Sequence, residues 1–595
     1  MNQTVNQTLN PRHDWWKQSV VYQIYPRSFQ DTNGDGIGDL PGITSRLDHL
    51  QQLGVDVVWL SPIYASPQDD NGYDISDYRN VAPEFGTMAD FDAMLAGMHA
   101  RGIKLMMDLV VNHSSDEHEW FRQARSSRDN PYHDHYIWRD PKPDGSPPTN
   151  WEAAFNGSVW EWNEPTGEYY LHMFSRKQPD LNWENPALRA EVYDVMRFWL
   201  DKGVDGFRMD VINMISKPWN ADGSLPDAPV VREGFLQPSF PMTCNGPRLL
   251  EFLREMRREV LDHYDTLTVG EAPMATVRQG REITDPRTGA LDMLFQFEHM
   301  DLDSIPGDPR GKWALKPLHL PDLKRTMQRW QDALHGCGWN SLYLSNHDQP
   351  RPVSRFGCDE PAHRVGSARM LAIWLHAHQG TPYIYQGEEI GLPNTPFASI
   401  EDCRDIETLN MHRIAIGERG EDPAEVMAAI RAKGRDNART PMPWSGTGPH
   451  AGFTRGTPWI DLHPHWREIH VERDRADPHG VFAMYRRLIA LRRVHPVLAE
   501  GRCEGWALDH SRLAILSRSL GDELWLVACN FGGDTETFDL PEELALRAGT
   551  GWRWLAEPMA LSHPAGAPDE HARLQGARLA PWEGRMLRLC RVPSS

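Results

Sequence analysis

An α/β fold, a (β/α)8 TIM barrel with an inserted subdomain after strand 3 and a C-terminal antiparallel β-sandwich domain, is what this 595-residue sequence predicts. Three observations carry the prediction. Eight short β-rich runs recur along the first part of the chain, stretches with helical apolar spacing lie between them, and the last hundred residues change to alternating apolar and polar runs.

The eight runs are VVYQIYPRSF (20–29), VDVVWLSPIY (55–64), KLMMDLVVNH (104–113), VDGFRMDV (204–211), TLTVGEA (266–272), MLFQFEH (293–299), SLYLSNHD (341–348) and TPYIYQGEE (381–389). Between them ITSRLDHLQQLG, ADFDAMLAGMHARG, NPALRAEVYDVMRFWLDKG and RLLEFLREMRREVLDHY place apolar residues three and four apart, and glycine closes several of these helices. Strand and helix in alternation mean βα units and a parallel sheet. Eight units close into a barrel whose site gathers at the C-terminal strand ends.

Two gaps are too long for a helix and its turns. Residues 114–180, rich in Trp, Tyr, Asp, Pro and Gly, read as a subdomain inserted after the third strand, and 390–460 as a lid-like insertion after the eighth. The barrel then comprises 1–113 and 181–500. After the helical run VFAMYRRLIALRRVHPVL (481–498), the runs RLAILSRSL and ELWLVACNF mark a small antiparallel β domain over 501–595.

Composition narrows the function. A net charge of −21 leaves no basic surface for nucleic acid, while a small neutral ligand is unaffected by it. The seven cysteines are scattered and form no CxxC pair, which argues against zinc and against a disulfide framework and favours a reduced compartment. The start, MNQTVNQTLNPRHDWWKQ, lacks the pattern of a secretory signal, and no run approaches eighteen apolar residues. A cytoplasmic protein with no membrane partner, monomeric or weakly homo-oligomeric, is expected.

Strand ends supply the chemistry. Asp74 lies just beyond the second run, His113 ends the third, Arg208 and Asp210 end the fourth, Glu271 the fifth, and His347 and Asp348 the seventh. Alternation along the fourth strand places Phe207, Met209 and Val211 on one side and Arg208 and Asp210 on the other, facing the barrel mouth. Ionised groups are rarely buried unpaired, so the Arg208/Asp210 placement signals a site. Three carboxylates on one rim are the informative count, because a retaining glycosidase needs a pair of carboxyl groups about 5–5.5 Å apart, one as nucleophile and the other as acid and then base.

The stretch DTNGDGIGD (31–39) sets Asp31, Asn33, Asp35 and Asp39 at positions one, three, five and nine of a calcium-loop pattern, with Gly36 at the turn and the Ile37 carbonyl available. Position twelve is Gly42 and not glutamate. Calcium is expected, with magnesium or a self-bonded turn as the alternatives.

The pieces NGYDISDY, DLVVNHSS, GFRMDV, VGEA and SNHDQPR, in this order, resemble the characteristic regions of the α-amylase superfamily, glycoside hydrolase family 13. FSRKQPDLNW (174–183) and RDNARTPMPW (435–444) resemble its oligo-1,6-glucosidase and α-glucosidase branch, and the likeness runs from about Trp15 to the C-terminus. The resemblance implies Asp210 as nucleophile, Glu271 as acid and then base, and Asp348 as the group that holds the sugar's hydroxyls. Arg208 would pair with Asp210 and keep it ionised, and His113 and His347 would donate to the same sugar.

In the exo-acting branch a pair resembling Asp74 and Arg435 grips the terminal glucose, with Arg439 as the alternative to Arg435. Tyr64, Tyr73, Phe155 and Phe174 are candidates to stack on the sugar; Gln178 and Arg351 complete the expected binding set. The metal loop resembles one whose ion is structural.

The fold hosts several activities, so the reaction stays open. One reading is hydrolysis of terminal α-1,6-linked glucose from isomaltose, isomaltotriose, panose or dextran ends. Others are an α-1,4-preferring glucosidase or transglucosidase on maltose or sucrose, a sucrose isomerase, and a trehalose-6-phosphate hydrolase. A non-enzymatic transporter heavy chain is disfavoured because every catalytic position is filled. The isomerases carry an Arg-rich loop after strand seven, where this chain reads QPRPVSRFG with Arg351 and Arg355 alone. Valine after the nucleophile, here Val211, goes with α-1,6 preference in this branch; the side chain offers a steric reason, worth about 1–3 kcal/mol.

Overall fold

The computed structural model describes residues 14–565 and 568–593; residues 1–13, which carry most of the leader reading, lie outside the described residues. Every β-rich run of the barrel forms a strand, each shorter than its run: β1 (Val21–Ile24), β2 (Val57–Leu60), β3 (Lys104–Leu109), β4 (Gly206–Met209), β5 (Leu267–Glu271), β6 (Met293–Phe295), β7 (Ser341–Leu342) and β8 (Thr381–Tyr385). They pair in parallel in the order β6-β5-β4-β3-β2-β1-β8-β7, and a parallel bridge from Leu294 to Asn340 joins the two ends into a closed barrel.

The strands end early because their last residues are loops with polar work at the rim. In SLYLSNHD only Ser341 and Leu342 pair, and Asn346 already turns the chain by accepting the Asp348 amide N–H at 2.8 Å. Helices Met88–His99, Pro186–Asp201 and Leu249–Glu259 occupy the predicted places. Thr87 opens the first with a reciprocal cap to Asp90, and Asn185 opens the second with Pro186 at its first position. The first predicted helix is broken at Arg46 into Leu40–Ser45 and Leu47–Leu53, and Gly54 closes it with φ 93°.

Residues 114–180 hold a three-stranded antiparallel sheet in which Glu168–Leu171 lies between Trp138–Arg139 and Trp160–Asn163. A second excursion, over 212–248 after β4, was not expected. Its Gln237–Pro238 pairs with Trp151–Glu152, and Met214, Leu225 and Cys244 share one core with Trp151, Val159 and Met173. Its many prolines and single apolar residues have no period, which is why it carries no signal as an element. Residues 390–460 build a cluster of their own from Phe397, Met411, Val426, Ile430 and Ile460, across helices Ile406–Gly417 and Pro423–Lys433.

The C-terminal region is a five-stranded antiparallel sheet of β9 (Arg502–Trp506), β10 (Leu513–Leu520), β11 (Glu523–Asn530), β12 (Trp552–Leu561) and β13 (Gly584–Pro593), in the order β9-β10-β11-β13-β12. Alternation buries both faces. Leu513, Ile515, Leu524 and Leu526 meet Phe538 and Leu579 of a small two-stranded sheet, whereas Leu516, Trp525 and Val527 join the main core. Among the described residues no helix is long and apolar enough to cross a membrane.

Candidate active site

Arg208 and Asp108 are register partners on β4 and β3, so both side chains enter the barrel at one level. Arg208 Nη1 donates to Asp108 Oδ1 at 2.8 Å and to Asp210 Oδ1 at 2.6 Å, and Nη2 lies 2.6 Å from Glu271 Oε2. Asp108 also accepts from Trp59 Nε1 at 3.1 Å and Tyr73 OH at 2.9 Å. Asp108 was not singled out from sequence; its signal was its place opposite Arg208, which needs the strand register to be visible. Tyr64 donates to the Asp108 carbonyl oxygen and is buried, so it is a support and not a platform.

Three carboxyls thus share one guanidinium. Burial pushes Asp210 well above the ordinary carboxylate range; Arg208 pulls it down, and Glu271 and Asp108 push it up again. Burial raises Asp108 as well, against Arg208. Burial acts to lower Arg208, yet Asp108, Glu271 and Asp210 hold it well above its ordinary value. The expected pairing of Arg208 with Asp210 is present, but it is not exclusive: one guanidinium is shared by three carboxyls, and Arg208 pulls Asp210 down while Glu271 and Asp108 push it up.

Asp348 sits in the opposite electrostatic setting. Burial acts to raise it, but His347, Arg435 and Arg439 hold its carboxyl well below the usual range. Arg439 Nη2 is 2.7 Å and Arg435 Nη1 3.3 Å from Asp348 Oδ1, and its side chain is 29% exposed to the pocket. His347 stacks flat on Tyr73 with ring centroids 5.0 Å apart, and Gln23 Nε2 donates to its Nδ1 at 2.9 Å. The remaining nitrogen, Nε2, therefore carries the proton and lies 3.2 Å from Asp348 Oδ2 without a well-aligned bond.

The structure corrects the expected partner of Arg435. Arg435 Nη2 binds Asp70 Oδ1 at 3.0 Å and Asp405 Oδ1 at 2.6 Å, while Asp74 is turned away. The Asp74 carboxylate accepts from Ser66 Oγ and from the amide N–H groups of Asp69 and Asp70, closing its own loop, and burial raises it to about 7. Arg439 also reaches Asp405, at 3.4 Å, so both arginines meet at Asp348 and Asp405. Asp405 comes from the 390–460 insertion and has no sequence signal of its own.

Gln178 Nε2 lies 3.2 Å from Asp70 Oδ2 and 3.2 Å from His113 Nε2. His113 lies 3.0 Å from the Tyr73 carbonyl, so its Nε2–H is engaged there and not free for a ligand; burial lowers it to about 4 and keeps it neutral. Phe155 lies under the Arg435 guanidinium at 5.0 Å and against Phe174, which in turn touches His113.

Arg351 is corrected outright. It is fully buried, donating to the Asn437, Gln386 and Ala438 carbonyls, and braces the segment that carries Arg435 and Arg439 from behind. Val211 also leaves its expected side. The strand ends at Met209, Val211 turns to φ 32° and packs in the subdomain core, and its N–H donates to Glu271 Oε2 at 3.0 Å.

The loop at 31–39 is held by its own hydrogen bonds. Asp31 accepts from Gly34 and Gly36 N–H and from Thr454 Oγ1, Asp35 accepts from Ile37 N–H, and Asp39 caps helix Leu40–Ser45 through Gly42 N–H. Gly36 has φ 91°, and a Cβ there would lie 1.8 Å from the Thr457 carbonyl oxygen, so no other residue fits. The donors are all oxygen, as calcium requires. Among the described residues no group of three or more His, Cys, Asp or Glu converges as a metal site, so the fit is one of donor chemistry and not of assembled geometry.

A closed barrel whose mouth gathers Asp210 and Glu271 on one arginine has the paired carboxyls that a sugar-cleaving hydrolase uses. The chain belongs to the alpha-amylase family: residues 23–501 match the model of the alpha amylase catalytic domain. It is 56% identical over 580 residues to the oligo-1,6-glucosidase of Parageobacillus thermoglucosidasius, covering 97% of this chain and 99% of that one. The crystal structure of Bacillus licheniformis trehalose-6-phosphate hydrolase matches with a TM-score of 0.88 at 45% identity, over 98% of this chain and 100% of that one. Isomaltulose synthase from Erwinia rhapontici NX5 matches with a TM-score of 0.90 at 39% identity and the same coverage. This protein is a glycoside hydrolase.

Proposed function

We propose that this glycoside hydrolase is an exo-acting retaining α-glucosidase that releases glucose from the non-reducing end of short α-1,6-linked gluco-oligosaccharides such as isomaltose, isomaltotriose and panose. Asp210 attacks the anomeric carbon as Glu271 gives its proton to the departing glycosidic oxygen. Glu271 then takes a proton from water, whose oxygen bonds to the same carbon and expels Asp210. Asp348, held well below the usual carboxylate range by His347, Arg435 and Arg439, binds hydroxyls and favours the cationic transition state.

The observation that carries the exo reading is Arg435, tied at once to Asp70, Asp405 and Asp348, because this knot blocks the glucose-binding end. Against an isomerase, Arg351 is braced on backbone carbonyls and Arg355 is paired with Asp303 at 2.8 Å. The α-1,6 preference rests on Val211 beside Asp210. A hydrolysis comparison on isomaltose and maltose tests it: isomaltose is the faster substrate for the wild type, and Val211→Ala gains on maltose. Maltose as the better wild-type substrate would overturn the reading, and activity retained in Asp210→Asn would overturn the mechanism.

The loop of Asp31, Asn33, Asp35, Ile37 and Asp39 is read as a structural calcium site, with magnesium as the alternative ion, and the uncrosslinked cysteines support a cytoplasmic setting.

A further inference from the structure

Three residues other than glycine take left-handed backbone conformations around the acid/base Glu271: Val211 at φ 32°, Asn245 at φ 58° and Met274 at φ 56°. They lie in three different segments, after β4, at the end of the 212–248 excursion, and after β5. For a β-branched residue such as Val211 this conformation is a genuine outlier, and such strain persists only where the surroundings impose it.

One buried side chain ties the three segments together. Asn213 Nδ2 donates to Asn245 Oδ1 at 3.1 Å and to the Pro273 carbonyl at 2.7 Å, and the Asn213 carbonyl accepts from Asn245 N–H at 2.7 Å. Asn245 Nδ2 continues to the Met274 carbonyl at 3.3 Å. Because the Pro273 carbonyl can only accept, the amide nitrogen must face it. Asn213 Oδ1 is consequently left buried without a hydrogen-bond partner, a cost that an amide there bears for holding both loops.

Val211 meets Glu271 in space, where its N–H donates to the Glu271 carboxylate, and Met274, 51% exposed, stands three residues after Glu271 on the loop that follows it. The carboxylate of Glu271 therefore sits between two segments, one carrying Val211 and one carrying Met274, whose backbones are held by the same amide. We infer that Asn213 is a positioning residue for linkage selectivity: it holds Val211 and Met274 at the spacing that admits a 1,6-linked leaving sugar. The inference rests on the reading of Val211 given above and extends it to a residue outside the pocket.

The test compares kcat/KM on isomaltose and on maltose, together with Ki for 1-deoxynojirimycin, which reports the glucose-binding end alone. Asn213→Ala releases both loops, and Asn245→Gly keeps the left-handed backbone while removing the side-chain links. Each is expected to change the isomaltose-to-maltose ratio about ten-fold, the scale of discrimination by a methyl-sized contact, with Ki changed less than about two-fold. Asn245→Gly keeps the question open to measurement should Asn213→Ala fail to fold. An unchanged ratio in Asn245→Gly, or a loss shared equally by both substrates and the inhibitor, would overturn the inference. Val211→Ala separates the two levels: a ratio unchanged there overturns the Val211 reading, whereas a ratio that shifts there but not in Asn213→Ala or Asn245→Gly overturns only the role of Asn213.

Discussion

Asp70 Oδ1 accepts a hydrogen bond from Arg435 Nη2 at 3.0 Å, although 365 residues separate the two in the chain. The contact joins the loop after β2 to the insertion after β8. Asp74, four residues on, is excluded from it because its carboxylate is turned into its own loop.

Asp70 and Asp74 therefore differ in what they cost when changed. Asp70→Ala is expected to raise KM about ten- to a hundred-fold, the worth of a charge-assisted hydrogen bond of about 1.5–3 kcal/mol. Asp74→Asn is expected to lower Tm, since its amide cannot accept all three loop donors, while KM stays within about two-fold. Steady-state kinetics and thermal denaturation check both; the reverse pattern would show that the Arg435 contact does not bind the ligand.

Asp108 sets the proton affinity of its neighbours. In Asp108→Asn a like charge is lost and Arg208 is shared by fewer acids, and both effects lower Asp210. The limb of the kcat/KM profile that reports Asp210 ionisation should move to lower pH. A limb that stays or moves upward would refute the sharing of Arg208 between Asp108 and Asp210.

Buried histidines should weaken the fold in acid well above the ordinary carboxylate range. Burial holds His113, His118, His299, His378 and His463 at about 4 and His376 at about 3, against an ordinary 6.5. Between these values the unfolded chain binds protons that the folded one does not, so stability is lost as pH falls, by up to about 1.4 kcal/mol per pH unit for each ring. Burial raises Asp74 and Glu388 to about 7 and Asp474 to about 6, and these act in the opposite sense, weakening the fold as pH rises. Asp210, Asp108 and Asp70 are raised by burial as well and act in the carboxyls' sense, so each contribution is read from its own variant between pH 7 and pH 5. Relative to the wild type, His376→Gln should lose less Tm between pH 7 and pH 5 and Asp74→Asn should lose more; changes of the opposite sign would contradict these assignments.

Chelation addresses the loop of Asp31 to Asp39. Removing a structural ion should lower Tm by several degrees and leave activity at low temperature unchanged, with recovery on adding calcium. Unchanged Tm on chelation, in a protein that elemental analysis shows to be metal-free beforehand, would leave the loop to its own hydrogen bonds.

Much of the fold was legible because its signals are periodic. Alternation in VDGFRMDV and LTVGE and helical spacing in 185–203 and 248–264 located strands and helices that the structure contains. Asp210 and Glu271 were legible as carboxylates at strand ends, and Asp348 as one on the loop that follows β7. The 212–248 excursion was not, since a segment without period that packs by isolated side chains leaves no local trace. Val211 was placed on the wrong side because alternation was carried past the last paired residue, Met209. Arg351 was read as a binding residue because an arginine near a site motif looks the same in sequence whether it faces a ligand or a row of carbonyl oxygens.

The sequence by itself determined the barrel, its two domains of insertion, the C-terminal sheet and the three rim carboxylates, since each follows from local spacing of side chains along one element. Only the tertiary structure decided that Asp70 and not Asp74 meets Arg435, that Asp108 joins Asp210 and Glu271 on Arg208, and that Asn213 holds the loops beside Glu271. These are pairings across elements, where the choice between neighbouring groups depends on direction and distance. A carboxylate is charged wherever it stands, but its partner is set by which backbone turns toward it.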